Sequence, residues 1–397
     1  MNWNISKTVA AAALPLIAMS SFVSAARNNQ QSCAPSAPAN CNPADDCCGT
    51  YCMGPENYGV NAPVRPRTCN GDFVIEIDGL YWNSHMDGME YAVETQVKNT
   101  ERTSLINANY KNPNFNWEFG FKAGVAYNTT CDGWDLGILW TKYNGRASSH
   151  DQAQAGDNKT LLPLWSNFPD SDSLVQFQAP VRATDIETSW KLDLNLIDLD
   201  LGREFWVSRR VTLRPHVGLR IAQLKQSFDI EHKGGSFSEA PVRNDFVDIN
   251  NNFKGVGVRA GLDSVWNLGC GFGIYGDMAL SIIYGRFNVD HKEYTRLAAS
   301  PFSKRKVLDT HESFRASRLA TDLALGLQWS KLVCNCQYGL TIGLGWEHHL
   351  FLDQNQMWRV NKVLSAEDST ELLGNTFSQR RGDLDTQGWT LKFVFDF

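Results

Sequence analysis

The 397-residue sequence lacks any long hydrophobic run that could cross a membrane as a helix. Its apolar stretch near the start, 9–19, is short, and no later stretch approaches about 18 uninterrupted apolar residues. The mean hydropathy is −0.33 although the chain has 13 Trp and 21 Phe. We therefore expect no transmembrane helix in the mature chain, and any membrane-spanning form has to be a β-barrel.

The sequence also lacks the short motifs of common enzymes: G-x-S-x-G, H-E-x-x-H, a Walker loop and a dinucleotide fingerprint. Its charges are mixed in sign with a net charge of −6, which argues against a nucleic-acid partner. His348 and His349 are adjacent, so on a strand they face opposite ways and form no two-ligand metal site alone. We predict no enzyme activity, cofactor or metal, although a Ser–His pair assembled across strands would leave no motif.

The start of the chain indicates export. Residues 1–25 resemble a signal peptide, with Lys7 before the apolar stretch and Val23-Ser24-Ala25 as the cleavage pattern. Residues 26–71 are rich in Pro, Asn and Ala without apolar periodicity, which predicts a loop-like periplasmic segment. Its six cysteines are Cys33, Cys41, Cys47, Cys48, Cys52 and Cys69. Disulfides are favoured over zinc, because the chain is exported and no second cysteine pair has zinc spacing.

The last nine residues carry the clearest strand pattern. Trp389, Leu391, Phe393, Phe395 and Phe397 share one face, and polar residues or Val394 occupy the other. Such an aromatic face suits lipid, while barrel closure removes the exposed edge. A last strand of a soluble β-sandwich is the less favoured alternative.

Similar alternating segments fill residues 72–397, which we assign to an all-β, antiparallel transmembrane barrel. Short connections (128–132, 207–210, 267–271 and 330–336) alternate with long ones (84–114, 146–185, 231–251, 291–311 and 353–387). Because bacterial barrels have short periplasmic turns and longer outer loops, this predicts about ten strands with both termini in the periplasm. Strand-like pieces in the loops, such as 90–97, leave 12–16 strands as an alternative.

The segment from Trp190 to Phe205 changes phase once. Leu192, Leu194 and Leu196 share a face, whereas Ile197 and the alternate residues after it take the opposite one. A one-residue slip would turn lipid-facing side chains into the lumen, so we predict a β-bulge near 196–197.

Aromatic residues fall near both ends of the proposed lipid band, as in outer-membrane barrels. One set lies beside the short turns and comprises Tyr127, Trp134, Phe205, Trp266, Phe272, Trp329, Tyr338 and Phe397. The other lies toward the long loops and comprises Trp117, Trp140, Trp190, Trp346 and Trp389.

The remaining cysteines, Cys131, Cys270, Cys334 and Cys336, all lie in or beside short turns. The alternation of short and long connections therefore predicts that all ten cysteines are on the periplasmic side, which is oxidising. A bridge between Cys334 and Cys336 would be strained. We therefore expect that at least some disulfides join neighbouring molecules, or other cysteine-rich envelope proteins, and that the lipid partner is the outer membrane.

Two stretches carry a resemblance to a known family. Cys47-Cys48-Gly49-Thr50-Tyr51-Cys52 and the run from Phe73 to Trp82, with aromatic strands up to a terminal Phe, resemble the major outer membrane proteins of legionella and chlamydia-like bacteria. The resemblance implies an abundant outer-membrane porin whose chains are cross-linked by disulfides. It implies no catalytic residues.

Charged residues on the proposed inner faces are the candidate pore lining: Glu76, Asp78, Glu118, Lys122, Asp135, Lys191, Asp193, Arg214, His216, Arg220, Arg259, Asp263, Asp277, Asp322, Glu347 and Lys392. We predict a channel for small hydrophilic solutes with weak charge selectivity, because both signs occur. The alternative is a plugged barrel, in which these charges pair as a polar core and the loops face host cells. Arg381-Gly382-Asp383 falls in the last long loop, where a solvated loop is favoured over a receptor motif.

Overall fold

The computed structural model describes residues 61–65, 67–68, 72–96, 107–129, 132–153, 159–167, 181–238, 242–334, 337–363 and 374–397. The signal-peptide assignment and most of the cysteine-rich segment lie outside these residues. Among the ten cysteines, only Cys270 and Cys334 are described, and both are exposed in short turns.

The described residues form 17 strands and a single 3-10 turn. In chain order the strands are β1 (Asp72–Met86), β2 (Ala92–Gln96), β3 (Asn109–Lys111), β4 (Asn114–Phe115), β5 (Trp117–Asn128), β6 (Trp134–Gln152), β7 (Lys159–Pro163), β8 (Asp185–Arg203), β9 (Phe205–Trp206), β10 (Val211–Lys233), β11 (Arg243–Gly269), β12 (Phe272–Leu297), β13 (Lys304–Val333), β14 (Tyr338–Asn355), β15 (Trp358–Val363), β16 (Gly374–Gln379) and β17 (Gly382–Asp396). In the described part of the chain, no helix is long and apolar enough to cross a membrane.

The ten longest strands close into an antiparallel barrel. They pair in the order β1, β5, β6, β8, β10, β11, β12, β13, β14 and β17, and β17 pairs back to β1. At the seam, the backbone amides of Phe73 and Phe397 each donate to the other's carbonyl oxygen, at 2.8 and 2.9 Å. Closure gives every strand two neighbours, and it confirms the prediction of a ten-stranded antiparallel barrel.

The lengths of the connections differ from the sequence prediction only at the long-loop end of the barrel. The four short turns are where they were expected. Two of the expected long loops, 231–251 and 291–311, are mostly strand, because β10 and β11 are joined by residues 234–242 and β12 and β13 by residues 298–303. These strands continue well beyond the lipid-facing part of the barrel, with a polar outer face that does not resemble a membrane strand.

Strand β8 shows how the faces change along one strand. Its even-numbered residues point inward over the whole length, from the buried Ile186 and Trp190 to the polar Asp198 and Asp200. Its pairing with β10 is continuous from 185 to 202, without a register shift. The β-bulge that we predicted near 196–197 is therefore wrong.

The phase change in β8 marks the edge of the lipid band. Toward the short turns, the outer residues are apolar and the inner ones polar; toward the long loops, the outer residues are polar and the inner ones apolar. The same exchange occurs in β10 after Ile221 and in β12 after Tyr284. Water replaces lipid outside the barrel at this height, so apolar side chains gain most by turning inward.

The long-loop end of the barrel is filled by a hydrophobic core. Its wall residues include Trp82, Leu194, Phe253 and Phe287, and all are buried. A small sheet of β3, β2 and β7 contributes further buried side chains. A separate two-stranded sheet is formed by β15 and β16. Residues 92–96 of the strand-like piece at 90–97 are therefore part of an inner sheet and not an additional barrel strand.

Exposed aromatic residues mark both ends of the lipid band. Trp117, Trp140, Trp346 and Trp389 are exposed toward the long loops, and Tyr127, Trp134, Trp266, Phe272 and Phe397 toward the short turns. The eight-residue step from Trp389 to Phe397 rises about 20 Å along the membrane normal at the usual strand tilt. Trp190 is an exception to the prediction, because it is fully buried in the core.

Candidate functional site in the barrel interior

The inner surface of the barrel is charged in the half near the short turns. Strand β10 illustrates the division: Arg214, His216 and Arg220 point inward in this half, whereas Leu224 and Phe228 point inward in the other. Ionisable groups at the level of the lipid band provide the surface on which a hydrophilic solute could be bound or carried. We therefore take this polar half as the candidate site.

Arg220 lies at the centre of the polar half. Its guanidinium donates through Nε and one terminal nitrogen to both oxygens of Asp198, at 2.7 Å each. The same terminal nitrogen lies 2.7 Å from Asp322, which is on strand β13. All three side chains are buried. A planar guanidinium suits such bidentate contacts, so Arg220 ties two non-adjacent parts of the wall together.

A second group of ion pairs continues from this centre. Arg259 bonds Asp200 at 2.7 Å, and His216 lies 3.6 Å from Asp200 and 3.3 Å from Asp263. Arg214 then bonds Asp263 at 2.6 Å. These contacts bring together charges from three adjacent strands, β8, β10 and β11.

A third group crosses the barrel. Lys122 of β5 bonds Glu347 of β14 at 2.6 Å, and His349 lies between Glu347, at 3.1 Å, and Asp322, at 2.8 Å. The three groups therefore form one continuous network. His348 points the other way and lies 3.2 Å from Asp385, as expected for adjacent residues on a strand.

The described end of the cysteine-rich segment covers the floor of this half. Arg65 and Arg67 bond Glu204 at 2.7 and 3.0 Å, and the amide of Val64 donates to the Glu204 carbonyl oxygen. Burial works to raise the pKa of the Glu204 carboxyl, but the two guanidinium groups hold it at about 2. Glu204 lies in the connection between β8 and β9, so this anchor is at the short-turn end.

A cavity of about 260 Å³ lies among these groups. Ten carboxyl side chains and six Lys or Arg side chains are among its described lining residues. Asp78 and Asp277 are in the lining, and neither forms an ion pair with another described residue. Carboxyl groups are thus in excess.

The apolar half lies between this cavity and the long-loop end. Trp165, from the connection after β7, is fully buried, with its ring 5.8 Å from Phe228 and the Arg359 guanidinium 4.9 Å above it. Its indole N–H donates to the carbonyl oxygen of Glu90 at 2.7 Å. The segments that carry Glu90, Trp165 and Arg359, which we call the inner loops, are therefore packed against the wall and attached to one another.

A buried polar group lies within the apolar half, well beyond the lipid band. The Ser166 hydroxyl donates to Asp245 at 2.8 Å, and His232 lies 3.1 Å from the same carboxylate oxygen. Burial and the neighbouring Asp245 raise the pKa of Glu293 well above its usual range. Ser166 bonds the acid and not the imidazole, so this cluster lacks the nucleophile–base contact of a hydrolase.

Most of the predicted lining residues come together around the cavity. These are Glu76, Asp78, Lys122, Asp135, Arg214, His216, Arg259, Asp263, Asp277, Asp322, Glu347 and Lys392. Arg220 belongs to the same network. Glu118 lies apart, with its carboxylate 4.0 Å from Arg146 at a partly exposed position. A role in conduction stays a prediction for all of them.

Lys191 and Asp193 are corrections to the predicted set. Both occupy odd-numbered positions of β8 and therefore the outer face, where Asp193 bonds Lys142. The error follows from the supposed bulge, which exchanged the two faces of this strand. Asp198 and Asp200 are the inward acids that the same error hid.

Other residues of the network were missed for different reasons. Arg65 and Arg67 belong to the segment before β1 and Glu204 to a connection between strands, and a strand pattern gives no signal for the position of such residues over the barrel floor. The alternation of His349 with Glu347 indicates the inner face, a signal that is separate from the adjacency of His348 and His349. In the tripeptide Arg381-Gly382-Asp383, the last two residues begin β17, and Asp383 accepts a hydrogen bond from the amide of Asp353 at 2.6 Å.

Comparisons with known proteins show the family of the chain. A family model described as the Legionella pneumophila major outer membrane protein precursor matches residues 66–397. No curated protein matches the chain. Among solved structures, the chain is similar to the outer membrane protease OmpT from Escherichia coli, with 10% identity over 83% of this chain and 97% of that chain and a TM-score of 0.35.

Two further solved structures show comparable similarity. The first is a major outer membrane protein from Thermus thermophilus, with 11% identity over 82% of this chain and 99% of that chain and a TM-score of 0.26. The second is OprG from Pseudomonas aeruginosa, with 10% identity over 82% and 96% and a TM-score of 0.21. At these TM-scores the similarities carry no argument about activity.

Proposed function

The chain belongs to the Legionella pneumophila major outer membrane protein family, and from this premise we propose that it is an outer-membrane channel for small hydrophilic solutes. The family and the closed barrel assign the protein to the bacterial outer membrane. The proposal includes no enzymatic activity, and the similarity to a protease transfers none.

The charged interior is the observation that carries the proposal. The cavity of about 260 Å³ lies at the level of the lipid band and is lined by carboxylate, ammonium, guanidinium and imidazole groups. A barrel that needed only stability could fill this space with apolar side chains, since buried ion pairs add little net stability over a packed apolar core. Rings of charged side chains are the usual means by which a pore selects and passes ions.

The composition of the lining supports a preference for cations. Carboxyl groups outnumber Lys, Arg and His by ten to eight among the described lining residues, and Asp78 and Asp277 have no ion-pair partner there. An excess of acidic groups attracts cations and repels anions. This refines the weak selectivity that the mixed signs alone predicted.

The apolar half favours a second candidate, a plugged barrel with a structural or surface role. Trp82, Trp190, Phe253 and Phe287 are buried beyond the cavity, so the described conformation has a dry barrier between the polar half and the long loops. In the channel hypothesis this is a closed state that opens when the inner loops move. In the alternative the barrier is permanent.

Planar-bilayer recording distinguishes the two candidates. We expect the purified protein to give discrete conductance steps with a cation preference. Lys392→Gln, which removes the partner of Glu76 at 3.0 Å, should raise the cation-to-anion permeability ratio about sevenfold. A unit charge at a partly buried site shifts the energy of a passing ion by about the thermal energy, in opposite directions for cations and anions. Glu76→Gln should lower the ratio.

Lys191→Gln is the matched control for these substitutions. It removes the same charge from the outer face of the wall, so its permeability ratio should equal that of the unmodified protein. Well-folded protein that gives silent bilayers would support the plugged barrel, and equal ratios in all variants would reject the assigned lining.

We also propose that disulfides between molecules add rigidity to the envelope. Cys270 and Cys334 are exposed in turns at the end of the barrel that bears the cysteine-rich segment. A barrel that is already closed by backbone hydrogen bonds gains little from an internal bridge, whereas bridges between barrels would resist mechanical stress. The other eight cysteines lie outside the described residues.

Envelopes run on a gel with blocked thiols and no reductant should show a ladder of linked chains. Cys334→Ser combined with Cys336→Ser should remove most of the ladder, because these two cysteines cannot bridge each other without strain. Cys270→Ser is the single-site comparison, and most of the ladder should remain in this variant.

A purely monomeric pattern in unmodified envelopes would contradict intermolecular bridging. The side of the membrane can be tested separately with an impermeant thiol reagent on mildly reduced intact cells. Strong labelling of Cys270 or Cys334 from outside would reverse the proposed orientation.

A further inference from the structure

Three basic side chains form a row on the outer surface of the barrel. Lys254 is directly opposite Arg286 in the pairing of β11 with β12, and Arg286 is directly opposite Arg315 in the pairing of β12 with β13. All three are exposed. None forms an ion pair with another residue of the described ranges. We call this set the basic row.

The row is electrostatically unfavourable without a counter-charge. Directly opposite residues on neighbouring strands have Cβ atoms about 5 Å apart, and like charges in such pairs are destabilising. Two other lysines on the outer face do have a counter-charge: Lys142 is bonded to Asp193, and Lys225 is directly opposite Asp193. The uncompensated row therefore indicates an anionic ligand.

The height of the row identifies where that ligand lies. The next outward positions toward the short turns are Val256, Tyr284 and Ser317, which are also in direct register. Val256 and Tyr284 are 54% and 55% exposed, as expected for lipid-facing residues at the edge of the band. The basic row thus begins where the apolar outer surface ends.

The positions on the other side of the row are neutral and polar. Asn252 is opposite Asn288, which is opposite Ser313, and the Ser313 hydroxyl donates to the Asn288 side chain at 2.7 Å. Amide and hydroxyl groups can bind sugar hydroxyls or phosphate oxygens. From the band outward, the surface therefore presents apolar, cationic and hydrogen-bonding tiers in succession.

We propose that the basic row binds the phosphorylated sugar headgroup of an outer-leaflet lipid. Arginine side chains offer paired N–H donors that match phosphate oxygens. The acyl chains of the same lipid would lie over Val256 and Tyr284, and its sugar over Asn288 and Ser313. The long-loop end of a bacterial barrel faces the cell exterior, so the leaflet is the outer one. This inference is independent of whether the barrel conducts.

The test measures binding of bisphosphorylated lipid A to the full-length protein in a neutral detergent, by thermal unfolding at increasing lipid concentration. We expect saturable stabilisation of the unmodified protein. Each neutralised side chain should weaken the affinity about fivefold, and Lys254→Gln, Arg286→Gln and Arg315→Gln together about a hundredfold, as for cations at an anionic lipid surface. Lys142→Gln is the matched control and should bind like the unmodified protein.

Stability without lipid provides a second readout. Because the row is repulsive when empty, Arg286→Gln should unfold at the same or a higher temperature than the unmodified protein in neutral detergent, and at a lower one in saturating lipid A. This reversal also shows that the variant is folded. A triple variant that binds lipid A as tightly as the unmodified protein would overturn the proposal.

Other ligands test which chemical groups of the lipid the basic row binds. Monophosphorylated lipid A should bind more weakly than the bisphosphorylated form, and phosphatidylcholine should give the same small effect in all variants. Equal protection by inorganic phosphate at the same concentration would overturn the assignment to a lipid. Equal loss of binding in the Lys142→Gln control would show a diffuse charge effect and would overturn the assignment to this row.

Discussion

Replacing Arg220 with methionine is expected to lower the free energy of unfolding by about 3–5 kcal/mol. The substitution leaves Asp198 and Asp322 buried without the guanidinium that bonds both at 2.7 Å. The energy of a buried ion pair is a balance between desolvation and attraction, but removal of one partner leaves only the desolvation cost. Urea titration in detergent, followed by heat-dependent gel migration, measures the change.

Two further variants separate this effect from a general loss of charge. Arg203→Gln removes a partly exposed arginine that bonds the exposed Asp132, and it should cost less than about 1 kcal/mol. Arg220→Met combined with Asp198→Asn and Asp322→Asn removes the stranded charges, and it should recover much of the lost stability. A loss below about 1 kcal/mol for Arg220→Met alone would mean that water reaches these carboxylates freely.

Replacing Trp165 with alanine should release the inner loops from the barrel wall. The indole is fully buried, contacts Phe228 and donates to Glu90, so its removal leaves a cavity and takes away one of the two hydrogen bonds that the Glu90 carbonyl oxygen accepts. Such truncations cost about 3–5 kcal/mol. The loss affects the attachment of the loops and not the closure of the wall, whose hydrogen bonds remain.

In bilayers, Trp165→Ala should therefore increase the time that the channel is open, and limited proteolysis should cut the loop near 159–167 faster. Trp346→Ala is the matched control, because it removes an exposed indole from the lipid face and should change neither readout. If proteolysis of Trp165→Ala is faster but neither it nor the unmodified protein conducts in bilayers, the result supports the plugged barrel. Unchanged proteolysis would show that Trp165 does not hold them.

The sequence alone determined the class of the fold and the number of strands. The alternation from Trp389 to Phe397 and the aromatic residues at both ends of the band are imposed on each strand locally by lipid on one side and a polar interior on the other. The short turns then specify which strands are neighbours. These signals depend on residues close in the chain, so they could be interpreted without knowing the rest of the molecule.

The tertiary structure decided which face of each strand points inward beyond the lipid band. Alternation shows that Leu192, Leu194 and Leu196 share a face, but it does not show whether lipid or a packed core receives them. In β8 the inner residues change from charged to apolar at a fixed register, because the medium outside the wall changes from lipid to water at that height. This is why Lys191 and Asp193 were assigned to the wrong side.

The contacts of the candidate site also depended on closure of the barrel. Lys122 meets Glu347, and Arg220 meets Asp322, across strands that are not neighbours in the sheet. No local pattern encodes such pairs, since each residue carries only the information that it is polar and faces inward. The sequence by itself supplied the inward charges of most strands, and only the curvature of the closed wall brought them to within bonding distance of one another.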